Sequence, residues 1–330
     1  MMNFIKPKFW DKKNQSLFSI LLYPLSIIYY LIIIIKKKIS ITKKCNIYII
    51  CVGNIYIGGT GKTSTAIEIF RILEKYKKIC FLTKGYGRKS KDDIYLNKKN
   101  YTSIRSENVG DESLLLNKYG PVYVANNRYK AIKNIIKLGY EVIILDDGFQ
   151  DNSIHKNMNI LCFDENSWIG NNNLIPAGPL REPIQSIKEA HLIIIKGKKN
   201  LTIEKEIKKI KNNLNIVYTK NEIKNIRELK NKKFIAFTGI GNPNNFFKLL
   251  LNNNIKITKT IIYPDHFQYT KKDYSYLLHE AKKNNCHLIT TEKDYVRINP
   301  NYKKKFHYTI INTIFNKKKL IYNSFKKLHS

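Results

Sequence analysis

The chain has 330 residues, with 59 Lys plus Arg against 25 Asp plus Glu, a formal net charge of +34 and a hydrophobic share of 43%. That apolar content excludes a wholly disordered chain, and the length allows one large or two ordinary domains. Five scattered cysteines without a C-x-x-C pair exclude a disulfide framework and a cysteine zinc site, and suit a reducing compartment. The positive charge favours anionic partners such as phosphorylated substrates, lipid head groups or nucleic acid. Lys, Asn and Ile are abundant everywhere, however, so compositional bias accounts for much of that charge, and charge alone identifies no partner.

The first element is Leu17 to Ile35, 19 residues without a charge, flanked by Lys12 and Lys13 before it and Lys36 to Lys38 after it. As a helix it would be about 28 Å long, close to the thickness of a bilayer core. No small-residue cleavage site follows, which argues against a removed signal peptide. Pro24 is expected to kink the helix, and Tyr23, Tyr29 and Tyr30 suit an interfacial depth. A span, an interfacial helix and a buried core helix all satisfy the pattern; attachment to the cytoplasmic face of a membrane is the favoured expectation.

Beyond residue 45 short β-branched runs alternate with amphipathic stretches. Strands are predicted at 47–52, 79–82, 122–125, 142–145, 160–163 and 192–195, with a helix over 64–76. Such alternation predicts a mainly parallel sheet covered on both faces. The charged, Asn-rich stretch 196–232 reads as a junction, followed by strands at 234–238, 260–262, 288–290 and 309–312 in a second, smaller α/β unit. The expected organisation is a membrane-associating helix at 1–38, a phosphate-loop domain at 39–215 and a smaller domain at 216–330 that closes over a cleft.

The most informative run is IYIICVGNIYIGGTGKTS, Ile47 to Ser64. A strand entering a Gly-rich turn that ends in Gly-Lys-Thr and opens a helix is the context of a phosphate loop, where backbone N–H groups converge on an anion at a helix N-terminus. Gly58, Gly59, Thr60 and Gly61 would cradle the phosphates of ATP, Lys62 would reach the β- and γ-phosphates, and Thr63 would coordinate Mg²⁺. In the G-x-x-x-x-G-K-S/T pattern the first glycine falls on Tyr56, which departs from it. Downstream, EVIILDDGFQ is an apolar strand ending in Asp146 and Asp147, carboxylates placed to hold Mg²⁺ or its waters.

Together with TKGYGR (83–88), VGDES (109–113), ANNRYKA (125–131), PAGPLREP (176–183), FTGIGNP (237–243), PDHFQYT (264–270) and TTEKDYVR (290–297), these motifs resemble the tetraacyldisaccharide 4'-kinase family, in the family's order and over residues 50–297. The resemblance implies two α/β/α domains with the site between them, and transfer of the ATP γ-phosphoryl group to the 4'-hydroxyl of a lipid A precursor, an acylated glucosamine disaccharide 1-phosphate. It implies that Asp111 and His266 act together as the base, that Asp146, Asp147 and Glu182 are acidic positions associated with Mg²⁺, and that Tyr86, Arg88 and Arg128 lie on the substrate or phosphate side. It also implies work at the cytoplasmic face of the bacterial inner membrane. Tyr56, Ser64, Lys84 and Asp151 depart from the family pattern; a bulky Tyr56 is expected to crowd the phosphate turn, and Lys84 lacks the bidentate fork of an arginine.

Two other classes fit less well. A switch ATPase of the partitioning kind carries a signature lysine where this chain has Ile57. A nucleic-acid-binding ATPase would account for the charge, but no nucleic-acid module or compact basic-aromatic motif is present, and no nucleic-acid partner is expected.

Overall fold

The computed structural model describes residues 6–11, 16–97 and 104–328. Lys12 and Lys13 lie outside the described residues. Thirteen strands occur in chain order: β1 Tyr48–Gly53, β2 Ile79–Thr83, β3 Ile94–Leu96, β4 Val122–Val124, β5 Val142–Asp146, β6 Met158–Asp164, β7 Leu192–Lys196, β8 Asn215–Ile223, β9 Lys233–Thr238, β10 Lys256–Ile262, β11 His287–Thr291, β12 Phe306–Thr309 and β13 Ile311–Phe315. The helices are α1 Leu17–Ile39, α2 Lys62–Leu73, α3 Ser106–Val109, α4 Asp111–Asn117, α5 Arg128–Lys137 and α6 Leu201–Ile210, then α7 Ile226–Leu229, α8 Pro243–Asn252, α9 Lys271–Lys283, α10 Glu292–Tyr295, α11 Pro300–Lys303 and α12 Lys318–Ser324.

Nine strands form one sheet in the order β13-β8-β7-β6-β1-β5-β2-β4-β3, and four form a second in the order β10-β9-β11-β12. All pairings are parallel except the two outer ones of the large sheet, β13 with β8 and β3 with β4. Parallel strands buried on both faces carry runs such as Ile-Ile-Cys-Val and Val-Ile-Ile-Leu, and apolar cores lie on each side of both sheets. The strand of the phosphate loop, β1, sits mid-sheet between β5 and β6, with Val52 opposite Asp146. The loop and the paired aspartates therefore meet at the carboxyl ends of the strands, where open α/β sheets bind ligands.

The 196–232 stretch is more than a junction. It holds α6, whose Ile203 and Ile207 are buried, and β8, where Ile216, Val217 and Tyr218 pack inward while Lys220 is exposed. The boundary expected at 215/216 falls inside β8, a strand of the large sheet; the chain passes to the small sheet over 224–232. It returns at Ile310, which separates β12 of the small sheet from β13 of the large one. The two crossings are tied side by side: Lys224 N–H donates to Ile310 O at 2.8 Å, and the Asn225 side chain bonds both Tyr308 O and Ile310 N at 2.9 Å. After β13, Ile321 and Phe325 are buried in the core of the large sheet.

Helix α1 begins at Ser16, whose hydroxyl accepts from Ser19 N–H, and runs through Pro24. It is the one described helix long and apolar enough to cross a membrane by length and composition. Most of its apolar side chains are exposed, Leu17 at 72% and Leu21 at 67%, so it is not a buried core helix. Ser19, Ser26, Tyr29 and Lys37 form one stripe that faces the protein: Ser19 Oγ donates to Ala177 O at 2.7 Å, Ser26 Oγ to Leu174 O at 2.8 Å and Tyr29 Oη to Arg181 O at 3.1 Å, and Lys37 pairs with Glu182 and Glu189 at 2.9 Å.

Because the last helix completes the large core, Phe325→Ala is expected to cost about 3–4 kcal/mol in denaturant unfolding of that domain. A loss below about 1 kcal/mol would show the tail to be an appendage.

Candidate active site

The phosphate loop depends on backbone that only glycine adopts easily. Gly58 and Gly61 have φ of 124° and 83°, and Gly61 stands immediately before α2. Asn54 braces the turn from inside, its amide donating to Tyr56 O and, at 3.1 Å, to Thr60 Oγ1. Ser64 Oγ donates to Gly61 O at 3.1 Å. Tyr56 does not crowd the turn. Its ring is buried against Ile169 and Leu180, its hydroxyl donates to Asp11 Oδ1 at 2.7 Å and accepts from Lys6 at 2.6 Å, while Gly58 and Gly59 remain exposed. Residues 174–182 line the other side of the loop, with Ile57 N–H donating to Pro179 O and Arg181 N–H to Ile55 O.

Thr63 Oγ1 donates to Asp146 Oδ2 at 3.3 Å, and Asp146 Oδ1 is buried without a hydrogen-bond partner among the described residues. Burial, with the nearby charges of Glu112 and Asp147, pushes the Asp146 carboxyl up to about 7. An oxygen orphaned in this way fits a divalent cation or one of its waters. Asp147 adopts φ of 50°, a left-handed conformation rare for a side-chain-bearing residue, and so turns toward the loop. Lys62 Nζ is 3.9 Å from its Oδ1 and Arg181 Nη1 is 2.9 Å away; burial opposes ionisation, but these two cations hold the carboxyl below its usual range.

Glu182 is placed elsewhere. It is buried, paired with Lys37 of α1 at 2.9 Å and accepting from Ser186 at 3.2 Å, and among the described residues no hydrogen bond or ion pair joins it to Thr63, Asp146 or Asp147. The expected metal-associated residue is thus a partner of the N-terminal helix, and its neighbour Arg181 holds the aspartate. Arg128 is likewise buried rather than open to a substrate: Nη1 donates to Asp151 Oδ2 at 2.9 Å and Nη2 to Asp147 O at 3.0 Å, bracing the aspartate turn from behind. Arg88 Nη1 donates to Asp92 O at 2.6 Å, closing its own loop, and Lys84 is exposed.

Facing the loop is a contact between the two sheets. Asp111 opens α4 after Gly110, whose φ is 85° and whose Cα side is pressed against Gly85 and Tyr86 O, so the GYG and VGD turns fix each other. His266, at φ of 59°, comes from the small-sheet side, its N–H held by Gly239 O at 3.1 Å. His266 Nδ1 meets Asp111 Oδ2 at 2.9 Å, and the exposed ring of Tyr86 lies 5.7 Å from the imidazole. The buried guanidinium of Arg297 is 3.4 Å from the same Asp111 oxygen. Lys293 Nζ sits 3.3 Å from Glu112 Oε1 and 3.4 Å from His266 Nε2. Burial works against the Lys293 charge, but Glu112 and Asp265 raise its pKa above the usual lysine value. Sequence reasoning placed Asp111 and His266 and missed Glu112, Arg181, Lys293 and Arg297; all four lie inside the quoted motifs, beside the assigned residues.

A glycine-rich loop with Lys62 and Thr63, two aspartates at the adjacent strand end and a carboxylate–imidazole pair joining the two sheet regions define a phosphate-loop protein built for phosphoryl transfer. A family model described as tetraacyldisaccharide-1-P 4'-kinase matches residues 18–326, and the chain belongs to that family. It is 41% identical to the tetraacyldisaccharide 4'-kinase of Pelagibacter ubique, over 99% of each chain, and 37% identical to that of Rickettsia canadensis, over 90% of this chain and 89% of the relative. Among solved structures it resembles LpxK from Aquifex aeolicus, crystallised in complex with ATP, at 26% identity and a TM-score of 0.75 over 94% of this chain and 99% of that one.

Burial opposes the charge on Asp151, but hydrogen bonds from Ser153 and the Arg128 cation outweigh it and hold the carboxyl at about 2. A depressed carboxylate contributes stability above its unfolded value near 4 and loses it as pH falls through the folded one. Asp151→Asn should therefore lower stability by about 2 kcal/mol at pH 7, with the gap to wild type narrowing between about pH 4 and 2. Unfolding curves at several pH values measure this; a constant gap would mean the charge is not the cause.

Proposed function

We propose that the chain transfers the γ-phosphoryl group of ATP to the 4'-hydroxyl of a tetraacyldisaccharide 1-phosphate, the lipid A precursor, at the cytoplasmic face of the bacterial inner membrane. The observation that carries this reading is the Asp111–His266 pair, 2.9 Å apart across the cleft that the phosphate loop faces. Family membership supplies the acceptor, and the exposed apolar side of α1 supplies the means of reaching a lipid substrate.

Backbone N–H groups of residues 58–63 and the Lys62 ammonium bind the phosphates, and the dipole of α2 favours their charge. Thr63 and Asp146, with Asp147, would hold Mg²⁺, which neutralises phosphate charge when bound. Arg181 and Arg128 keep Asp147 aimed at that position. Asp111 accepts the sugar hydroxyl proton as its oxygen forms the bond to the γ-phosphorus, and the bond to the β-phosphate breaks with its electron pair leaving on ADP. His266 orients the carboxylate and shares the accumulating proton. Because the pair spans both sheets, the base is complete only when the cleft is closed, which limits transfer to water.

Transfer of labelled γ-phosphate from Mg-ATP to tetraacyldisaccharide 1-phosphate in mixed micelles tests the reaction. Lys62→Ala and Asp111→Ala are each expected to reduce it at least about 10²-fold, with ATP still bound by the Asp111 variant. ATP hydrolysis with no labelled lipid would reject this acceptor. The membrane reading has its own test: Leu21→Glu with Ile28→Glu, on the exposed side of α1, should abolish co-flotation with anionic vesicles. Unchanged flotation would place the membrane contact elsewhere.

A further inference from the structure

The two oxygens of Asp111 are not equivalent. Oδ2 receives His266 Nδ1 at 2.9 Å and lies 3.4 Å from Arg297 Nε. No hydrogen bond to Oδ1 occurs among the described residues, although the residue is only 3% exposed. One oxygen thus takes the imidazole contact and lies beside the guanidinium charge, both from the small-sheet side, while the other has no protein hydrogen bond among the described residues.

Arg297 is built into the small-sheet side with unusual completeness. Its side chain is fully buried; Nη2 donates to Gly239 O at 2.9 Å and to Asp294 Oδ1 at 2.6 Å, Nη1 donates to Phe267 O at 3.1 Å, and Nε donates to Lys293 O at 3.4 Å. Each partner matters to the pair. Gly239 O is also the acceptor for His266 N–H, Phe267 follows His266, and Lys293 faces the far nitrogen of the imidazole. One guanidinium therefore sets the backbone on both sides of His266 and meets the carboxylate that His266 meets. An ammonium could not do this, because it lacks the planar fork that reaches several acceptors in fixed directions.

We infer that Arg297 is the positioning residue for the Asp111–His266 pair, and that it leaves Asp111 Oδ1 as the oxygen that takes the proton from the acceptor hydroxyl. The inference rests on the reading of Asp111 as the base, and it adds which oxygen acts and what aims it. Arg297 touches neither substrate; it acts through the carboxylate and the imidazole.

The test is Arg297→Lys, which keeps the charge beside Asp294 and loses the fork, measured in micelles on the wild-type and Asp111→Ala backgrounds. The expected result is a loss of kcat of about 10²-fold with KM for ATP unchanged, the scale of a misplacement near 1 Å. On the Asp111→Ala background the same change should cause no further loss, since the group it positions is gone. An equal loss on both backgrounds, or a raised KM for ATP with kcat intact, would overturn the inference. Full turnover in Asp111→Ala alone would instead remove the base reading itself.

Should Arg297→Lys fail to fold, the nitrogen resonances of the Arg297 side chain report the same contact without altering the arginine. In the near-isosteric Asp111→Asn the Arg297 Nε–H and the His266 Nδ1–H signals should both shift. A shift confined to His266 would overturn the role of Arg297.

Discussion

The 2.9 Å contact between His266 Nδ1 and Asp111 Oδ2 joins residues 155 positions apart in the chain. It constrains much of the molecule, because each partner must be delivered rigidly from a different sheet. Asp111 is delivered by a helix start locked through Gly110 against Gly85, and His266 by a left-handed turn that Arg297 anchors. Backbone held in sparsely populated conformations persists only where its surroundings over-determine it. Around this contact the sheets meet through further polar links: Glu292 of α10 with Lys118 and Tyr119, and Lys293 with Glu112. Buried ionic contacts are weak sources of stability but demanding in geometry, which suits a seam whose work is registration.

A second chain of contacts leads from the apolar helix to the phosphate loop. The polar stripe of α1 bonds residues 174–182, and those residues bond the loop backbone at Ile55 and Ile57 and, through Arg181, the carboxylate of Asp147. The short segment before α1 joins in through Trp10, whose indole donates to Pro176 O, and through Asp11 at the Tyr56 hydroxyl. The helix presents its apolar side outward while its polar side ends, by a few hydrogen bonds, at the groups that would bind nucleotide. This explains how a bulky residue is accommodated at position 56: its ring fills the apolar gap beneath 174–182 instead of the phosphate turn.

The nucleotide half of the site was legible because its geometry leaves marks in the sequence. Left-handed turns demand glycine, and a buried parallel strand demands an unbroken apolar run before its carboxylates. The Asp111–His266 pair was legible only through the resemblance, since no local pattern couples two residues so far apart. The contacts of Glu182 and Arg128 were not legible for a different reason. Neighbours in a turn point opposite ways, so Arg181 faces Asp147 while Glu182 faces α1, and Arg128 is drawn inward by Asp151. The crossing at Ile310 and the strand β8 were hidden by composition, because Lys220 and Glu222 on β8 look like linker residues when the buried Ile216 to Tyr218 beside them are not seen in register.

The central claim is that Asp111 and His266 work as one unit across the cleft. Single-turnover phosphoryl transfer for Asp111→Ala, His266→Ala and the double variant addresses it most directly. Residues acting as a unit are non-additive, so the double variant should be no slower than Asp111→Ala alone. If the two losses multiply, the residues act independently, and the 2.9 Å contact is structural rather than the base of the reaction.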